Sequence, residues 1–170
     1  MLALAGTPLF AHPHRDVDQQ VALTLAADHV AAEIVIVPSI NAGPTILARI
    51  DTDADGTISD VEADAFAQDV LATTELEVAG SPVFSEVTQV DVGDPDALEA
   101  GLGSIVISTK TDVVIELPMT TNVSFSIGFA EFDHDWFIQP YLQGSTFNGA
   151  AINIERSIGG KITVMLDMGS

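Results

Sequence analysis

Short runs rich in valine, isoleucine and threonine, punctuated by glycine, proline and aspartate, recur along nearly the whole chain and limit its fold more than any other feature. β-branched side chains crowd a helix but pack well on a pleated surface, so these runs read as strands. Residues 21–25 and 30–37 form one such pair, with Ala27, Asp28 and His29 as the turn of a hairpin. A second pair, 75–78 and 83–92, flanks Ala79-Gly80-Ser81-Pro82, which carries the glycine and proline that tight turns use. Runs at 104–117, 123–129, 151–155 and 161–166 complete the set. The pattern predicts a mainly β chain folded as an antiparallel, Ig-like β-sandwich. At 170 residues without cysteine, one domain has the apolar material to close a core unaided by disulfides.

Helical spacing breaks into this pattern once, at about residues 44–72. Gly43-Pro44-Thr45 opens a short helix, with proline where its missing N–H costs nothing and with Leu47 and Ile50 three apart on one face. Val61, Ala65, Phe66, Val70 and Leu71 make an apolar stripe for a second helix that stops before Thr73-Thr74. Between them residues 51–62 read Asp-Thr-Asp-Ala-Asp-Gly-Thr-Ile-Ser-Asp-Val-Glu, which satisfies the EF-hand pattern at each defining position. Such a loop holds Ca²⁺, a hard ion that takes six to eight oxygens. Asp51, Asp53 and Asp55 would give one side-chain oxygen each, Thr57 its carbonyl, Ser59 a bridging water, and Glu62 both carboxylate oxygens. Gly56 permits the left-handed bend, and Ile58 turns inward as an anchor. One loop is present rather than a pair, and its exiting helix has no methionine. A structural site is therefore expected, not a sensor that opens a Met-rich groove.

The charge balance excludes other classes. Twenty-five acidic residues oppose five basic ones, Arg15, Arg49, Lys110, Arg156 and Lys161, for a net charge of −20. A phosphate backbone would be repelled, so nucleic acid is not a partner, and anionic membrane surfaces are disfavoured. No apolar run approaches the roughly 18 residues of a membrane span, so no direct membrane insertion is expected. Residues 1–11 are almost wholly apolar and read as a signal-peptide remnant, with Leu9-Phe10-Ala11 a loose cleavage site. Residues 12–170 then form the single sandwich domain carrying the EF-hand insertion, secreted or periplasmic, with His12-Pro13-His14 at its start. The acidic stretch 91–103 reads as a solvated loop, because its carboxylate spacing is wrong for an EF-hand and Pro95 interrupts it.

The order of features now on view is Ala11-His12-Pro13 after an apolar segment, a hairpin, Pro44-Thr45 leading to Ile50-Asp51-x-Asp53-x-Asp55-Gly56, then a β-rich tail. It resembles the extracytoplasmic N-terminal domain of nickel/cobalt-efflux-type membrane transporters, and Phe132-Asp133-His134-Asp135-Trp136 stands where that family carries a Trp-centred segment. His14 departs from the pattern, which has an aliphatic residue there. The resemblance implies an extracytoplasmic β domain that can meet transition metals, with a membrane transporter or another extracytoplasmic protein as partner. It does not reach the family's membrane part, and transport is not implied.

Imidazole suits nickel, cobalt and copper, so His12 and His14 form a second candidate metal site. A mature start at His12 would let its α-amine and ring join His14, His29 or His134 around copper, and an oxidase of that kind is the remotest reading. The alternative is a solvated terminus. Asp133-His134-Asp135 is open between a metal or proton relay and an ordinary edge or turn. No Gly-rich phosphate loop, nucleophile elbow or zinc-protease helix occurs, so an enzyme is not expected. The leading expectation is a calcium-binding extracytoplasmic module, and the alternative is a periplasmic protein handling nickel, cobalt or copper through its N-terminal histidines.

Overall fold

Alternation of burial along the runs, rather than their mere hydrophobicity, decides how they assemble. A computed structural model describes residues 16–115, 120–132 and 135–167. In β1 (Val17–Leu25) and β2 (His29–Pro38) every second side chain is buried, and the two pair antiparallel from Val17↔Pro38 to Leu25↔Val30 as the expected hairpin. The remaining strands are β3 (Thr74–Val78), β4 (Ser81–Val83), β5 (Glu86–Val92), β6 (Ile105–Asp112), β7 (Thr121–Ile127), β8 (Phe137–Leu142), β9 (Ala151–Ser157) and β10 (Lys161–Asp167). They form two five-stranded sheets, in the orders β5-β6-β2-β1-β8 and β4-β3-β7-β10-β9. Leu23, Leu25, Ile34, Ile36 and Ile107 of the first sheet join Val123, Phe125, Ile162, Val164 and Leu166 of the second in one buried cluster. The chain is thus mainly β, with two sheets layered on a shared core, as in a β-sandwich.

Several details depart from the expected pattern. The pairing is not antiparallel throughout, because β8 runs parallel to β1 from Gln20↔Phe137 to Leu25↔Leu142. Residues 83–92 are not one strand. β4 closes a hairpin with β3 across Ala79 and Gly80, then the chain crosses at Phe84 and Ser85 so that β5 lies in the other sheet. The run expected at 104–117 leaves the ladder after Asp112, where Val113 and Ile115 donate instead to the carbonyls of Asp28 and Ala27. The stretch 91–103 is no simple loop. Asp94 accepts from Ala97 N–H and caps a short helix, α3 (Pro95–Glu99), whose Leu98 is fully buried.

The two helices fall where their spacing puts them. α1 (Gly43–Ile50) and α2 (Asp60–Leu71) form the crossover from β2 of one sheet to β3 of the other. Ile50 on α1 and Phe66 and Val70 on α2 are buried as their spacing predicts, but Ile46 and Ala67 join them, while Leu47 and Leu71 are half-buried and Val61 and Ala65 exposed. α1 packs on α3 so closely that a Cβ added to Gly43 would lie 2.2 Å from the Leu98 carbonyl oxygen, so only glycine fits there. Phe66 joins Phe129 edge-on, with ring centroids 5.9 Å apart, and stacks on Phe132 at 6.2 Å. Among the described residues no helix is long and apolar enough to cross a membrane.

Candidate metal centre

α1 stops at Asp51 because the backbone there leaves the helical region, at ψ 87°, while its N–H still closes the last turn on the Leu47 carbonyl. Ile50, buried just before it, pins the start of the loop to the core. From there the aspartates fold the backbone around themselves. Asp51 Oδ1 accepts from Asp55 N–H at 3.2 Å, and its Oδ2 accepts from Gly56 N–H at 2.9 Å. Asp53 Oδ1 accepts from Asp55 N–H at 3.2 Å, and Asp55 Oδ1 accepts from the N–H and hydroxyl of Thr57 at 2.8 and 2.6 Å. These turns bring one carboxylate oxygen from each of Asp51, Asp53 and Asp55 within 4.8 Å of one another. Asp51 is buried, 8% exposed, and the other two face solvent. Gly56 takes the left-handed conformation its position calls for, at φ +84°, and Ile58 is half-buried against the core.

Glu62 sits across the loop from this group and is already engaged. Its Oε1 accepts from the N–H and hydroxyl of Thr52, at 2.7 and 3.0 Å, and its Oε2 accepts from the N–H and hydroxyl of Ser59, at 3.0 and 2.8 Å. Ser59 is the N-cap of α2 and forms a capping box with Glu62. Glu62 therefore ties both ends of the loop together. The N–H of Ser59, then its hydroxyl, then the N–H of Thr52 hold the Glu62 carboxyl down at about 2. Asp53 moves the other way. The Asp55 N–H lowers it, but desolvation and the charges of Asp55, Glu62 and Asp51 together leave it above the usual aspartate value.

One cation next to the loop fixes its frame. Arg49 on α1 donates from Nη2 to Asp69 of α2 and from Nε to Glu131, each at 2.7 Å, with its guanidinium 5.9 Å from the Phe66 ring centroid. Asp69 first, and then Glu131, raise its pKa above the ordinary value.

Of the residues singled out by pattern, Asp51, Asp53 and Asp55 are brought together, while Thr57, Ser59 and Glu62 surround them in hydrogen bonds within the loop. His12, His14 and Asp133-His134 lie outside the described residues, as does the segment read as a signal remnant. His29 stands apart on the β1–β2 hairpin, its Nδ1 2.8 Å from Asp28 Oδ1. Two features escaped the sequence reading: Arg49, which no motif marks, and Ala54, whose φ of +57° lies in the left-handed region. The donor set is all carboxylate, which suits a hard divalent cation over a soft one. No protein-family model matches the chain, and no curated protein matches it.

Proposed function

We propose that the chain is a calcium-binding extracytoplasmic module, an Ig-like sandwich of residues 12–170 in which a single EF-hand loop holds Ca²⁺ in a structural role. The observation that carries this reading is the convergence of three aspartate oxygens within 4.8 Å, on a loop whose backbone is bent at Gly56. Asp51, Asp53, Asp55, the Thr57 carbonyl, Ser59 through water, and Glu62 would hold the ion. Calcium is favoured over magnesium because a 12-residue loop closed by glutamate supplies the larger, seven-oxygen shell.

What supports a structural role is how the helices are fastened. α1 and α2 are bridged by Arg49, and Phe66 packs against Phe129 and Phe132, which favours a fastened helix pair over one that opens on binding. Millimolar calcium outside the cell would keep such a site filled, which agrees with a secreted or periplasmic location and with a role in binding rather than catalysis. A transporter or another extracytoplasmic protein is the partner that the family resemblance suggests. The nickel, cobalt or copper reading rests on His12 and His14, and nothing among the described residues favours it.

Titration calorimetry tests the assignment. Wild type should take up one Ca²⁺ per chain, and Glu62→Gln, which keeps the size but removes the charge, should bind far more weakly. No heat of binding at millimolar calcium would sink the proposal.

A further inference from the structure

The edge strands of an open sheet present unpaired N–H and C=O groups, and folded proteins blunt them with proline, bulges, charge or shortness. Among the described residues, three of the four edges are blunted. β4 has only three residues, one of them Pro82. β5 is bulged between Val87 and Gln89 and carries Glu86 and Asp91, and β8 is interrupted by Pro140. β9 has no proline, no bulge and full length, and its two charges, Glu155 and Arg156, are adjacent and cancel. Its seven residues pair with β10 without a break from Ala151↔Asp167 to Ser157↔Lys161, and all seven are exposed.

The register shows what that exposure means. Ile152 and Ile154 lie opposite Leu166 and Val164, both fully buried, so they continue the core-facing side of the sheet past the point where the other sheet covers it. They are 49% and 38% exposed. Charge says what kind of surface can cover them. Between residues 137 and 166 the only charges are Glu155, Arg156 and Lys161, a net of +1 on a chain of −20. Two copies meeting at most other faces would set acid against acid, and at this edge they would not.

We propose that β9 is a self-association edge: two copies of this chain pair β9 antiparallel about a two-fold axis at Ile154, joining their sheets into one ten-stranded sheet. This centre uses the whole strand and sets Ile154 against its own copy. Ile152 then faces the partner's Arg156, whose aliphatic stem covers it, and Glu155 faces the partner's Asn153. Centring on Glu155 or Arg156 instead would oppose like charges directly.

Sedimentation equilibrium of the full chain over a range of concentrations tests this. Wild type should reach the dimer mass, with the dimer fraction rising with salt as the residual acidic repulsion is screened. Ile154→Lys should lose the dimer while keeping its melting transition, and Val114→Lys, at an exposed valine outside β9, should keep both. Because the chain has no cysteine, Ile154→Cys should give a disulfide-linked dimer on oxidation, since directly opposed residues lie about 4.5–5.5 Å apart, whereas Val114→Cys should not. A wild type that stays monomeric overturns the proposal, including one that takes up an acidic extended peptide instead. A dimer that survives Ile154→Lys overturns it as well.

Discussion

Ala54 is the least comfortable residue of the loop. At φ +57° its Cβ crowds the following carbonyl, a conformation that costs an L-residue about 1–2 kcal/mol and glycine nothing. Part of that gain is lost to the greater freedom of glycine in the unfolded chain, so Ala54→Gly should stabilise the calcium-free protein by roughly 0.5–1 kcal/mol, read as a rise in denaturation midpoint. The neighbouring Gly56 was legible because the EF-hand pattern demands it. Ala54 was not, because alanine at that position announces no backbone geometry. The carboxylates give a pH prediction with two opposite signs. Glu62 falls from the ordinary 4.5 to about 2 on folding, so its contribution is present above 4.5 and lost as pH falls through 2. Asp53 is raised, so folding favours its protonated form, and its contribution is fullest at low pH and lost as pH rises through its folded value. Carboxyl NMR titration in chelator should place Glu62 well below an ordinary glutamate and Asp53 above an ordinary aspartate. A Glu62 midpoint near 4.5 would mean that the bonds from Ser59 and Thr52 do not form in solution.

α2 depends on its first turn, because its sequence offers the core only Phe66, Ala67 and Val70. Ser59 supplies that turn with both halves of the capping box, its Oγ accepting from Glu62 N–H and its own N–H donating to Glu62 Oε2. Ser59→Ala should cost about 1 kcal/mol in urea denaturation without calcium, and part of the low Glu62 pKa should go with it. At this scale the helices and the first hairpin were readable, since capping residues, Pro44 and periodicity all act locally. Three misreadings have local causes too. β8 hid because Pro140 argues against a central strand, yet at an edge its missing N–H faces no neighbour. α3 hid because five residues give no period, although Asp94-Pro95 is a capping signal in itself. The change of sheet at Phe84 and Ser85 hid because valines at 83 and 87 continue the alternation on both sides of it, and alternation names a face without naming a sheet.

Across the whole molecule, what the sequence could not show is which strands become neighbours, because pairing such as β1 with β8 joins segments more than a hundred residues apart through contacts that no local pattern encodes. The same long-range wiring gives the loop its leverage. α1, the loop and α2 are one of the links between the two sheets, and Phe66 carries α2 onto Phe129, whose carbonyl accepts from Trp136 Nε1 at 2.8 Å. The only tryptophan thus reports on the joint between insertion and sandwich. An ion that binds only the folded chain stabilises all of it, by about 2.7 kcal/mol at a hundredfold excess over Kd. For a chain of this size that amounts to a rise in melting temperature of roughly 5–10 °C. Wild type in millimolar calcium should therefore melt that much higher than in chelator, in one transition that coincides by far-UV circular dichroism and by Trp136 fluorescence. Glu62→Gln should show little difference between the two conditions. A calcium shift seen by one probe and not the other would mean that the insertion melts apart from the sheets, and that the ion holds a hairpin of helices rather than the molecule.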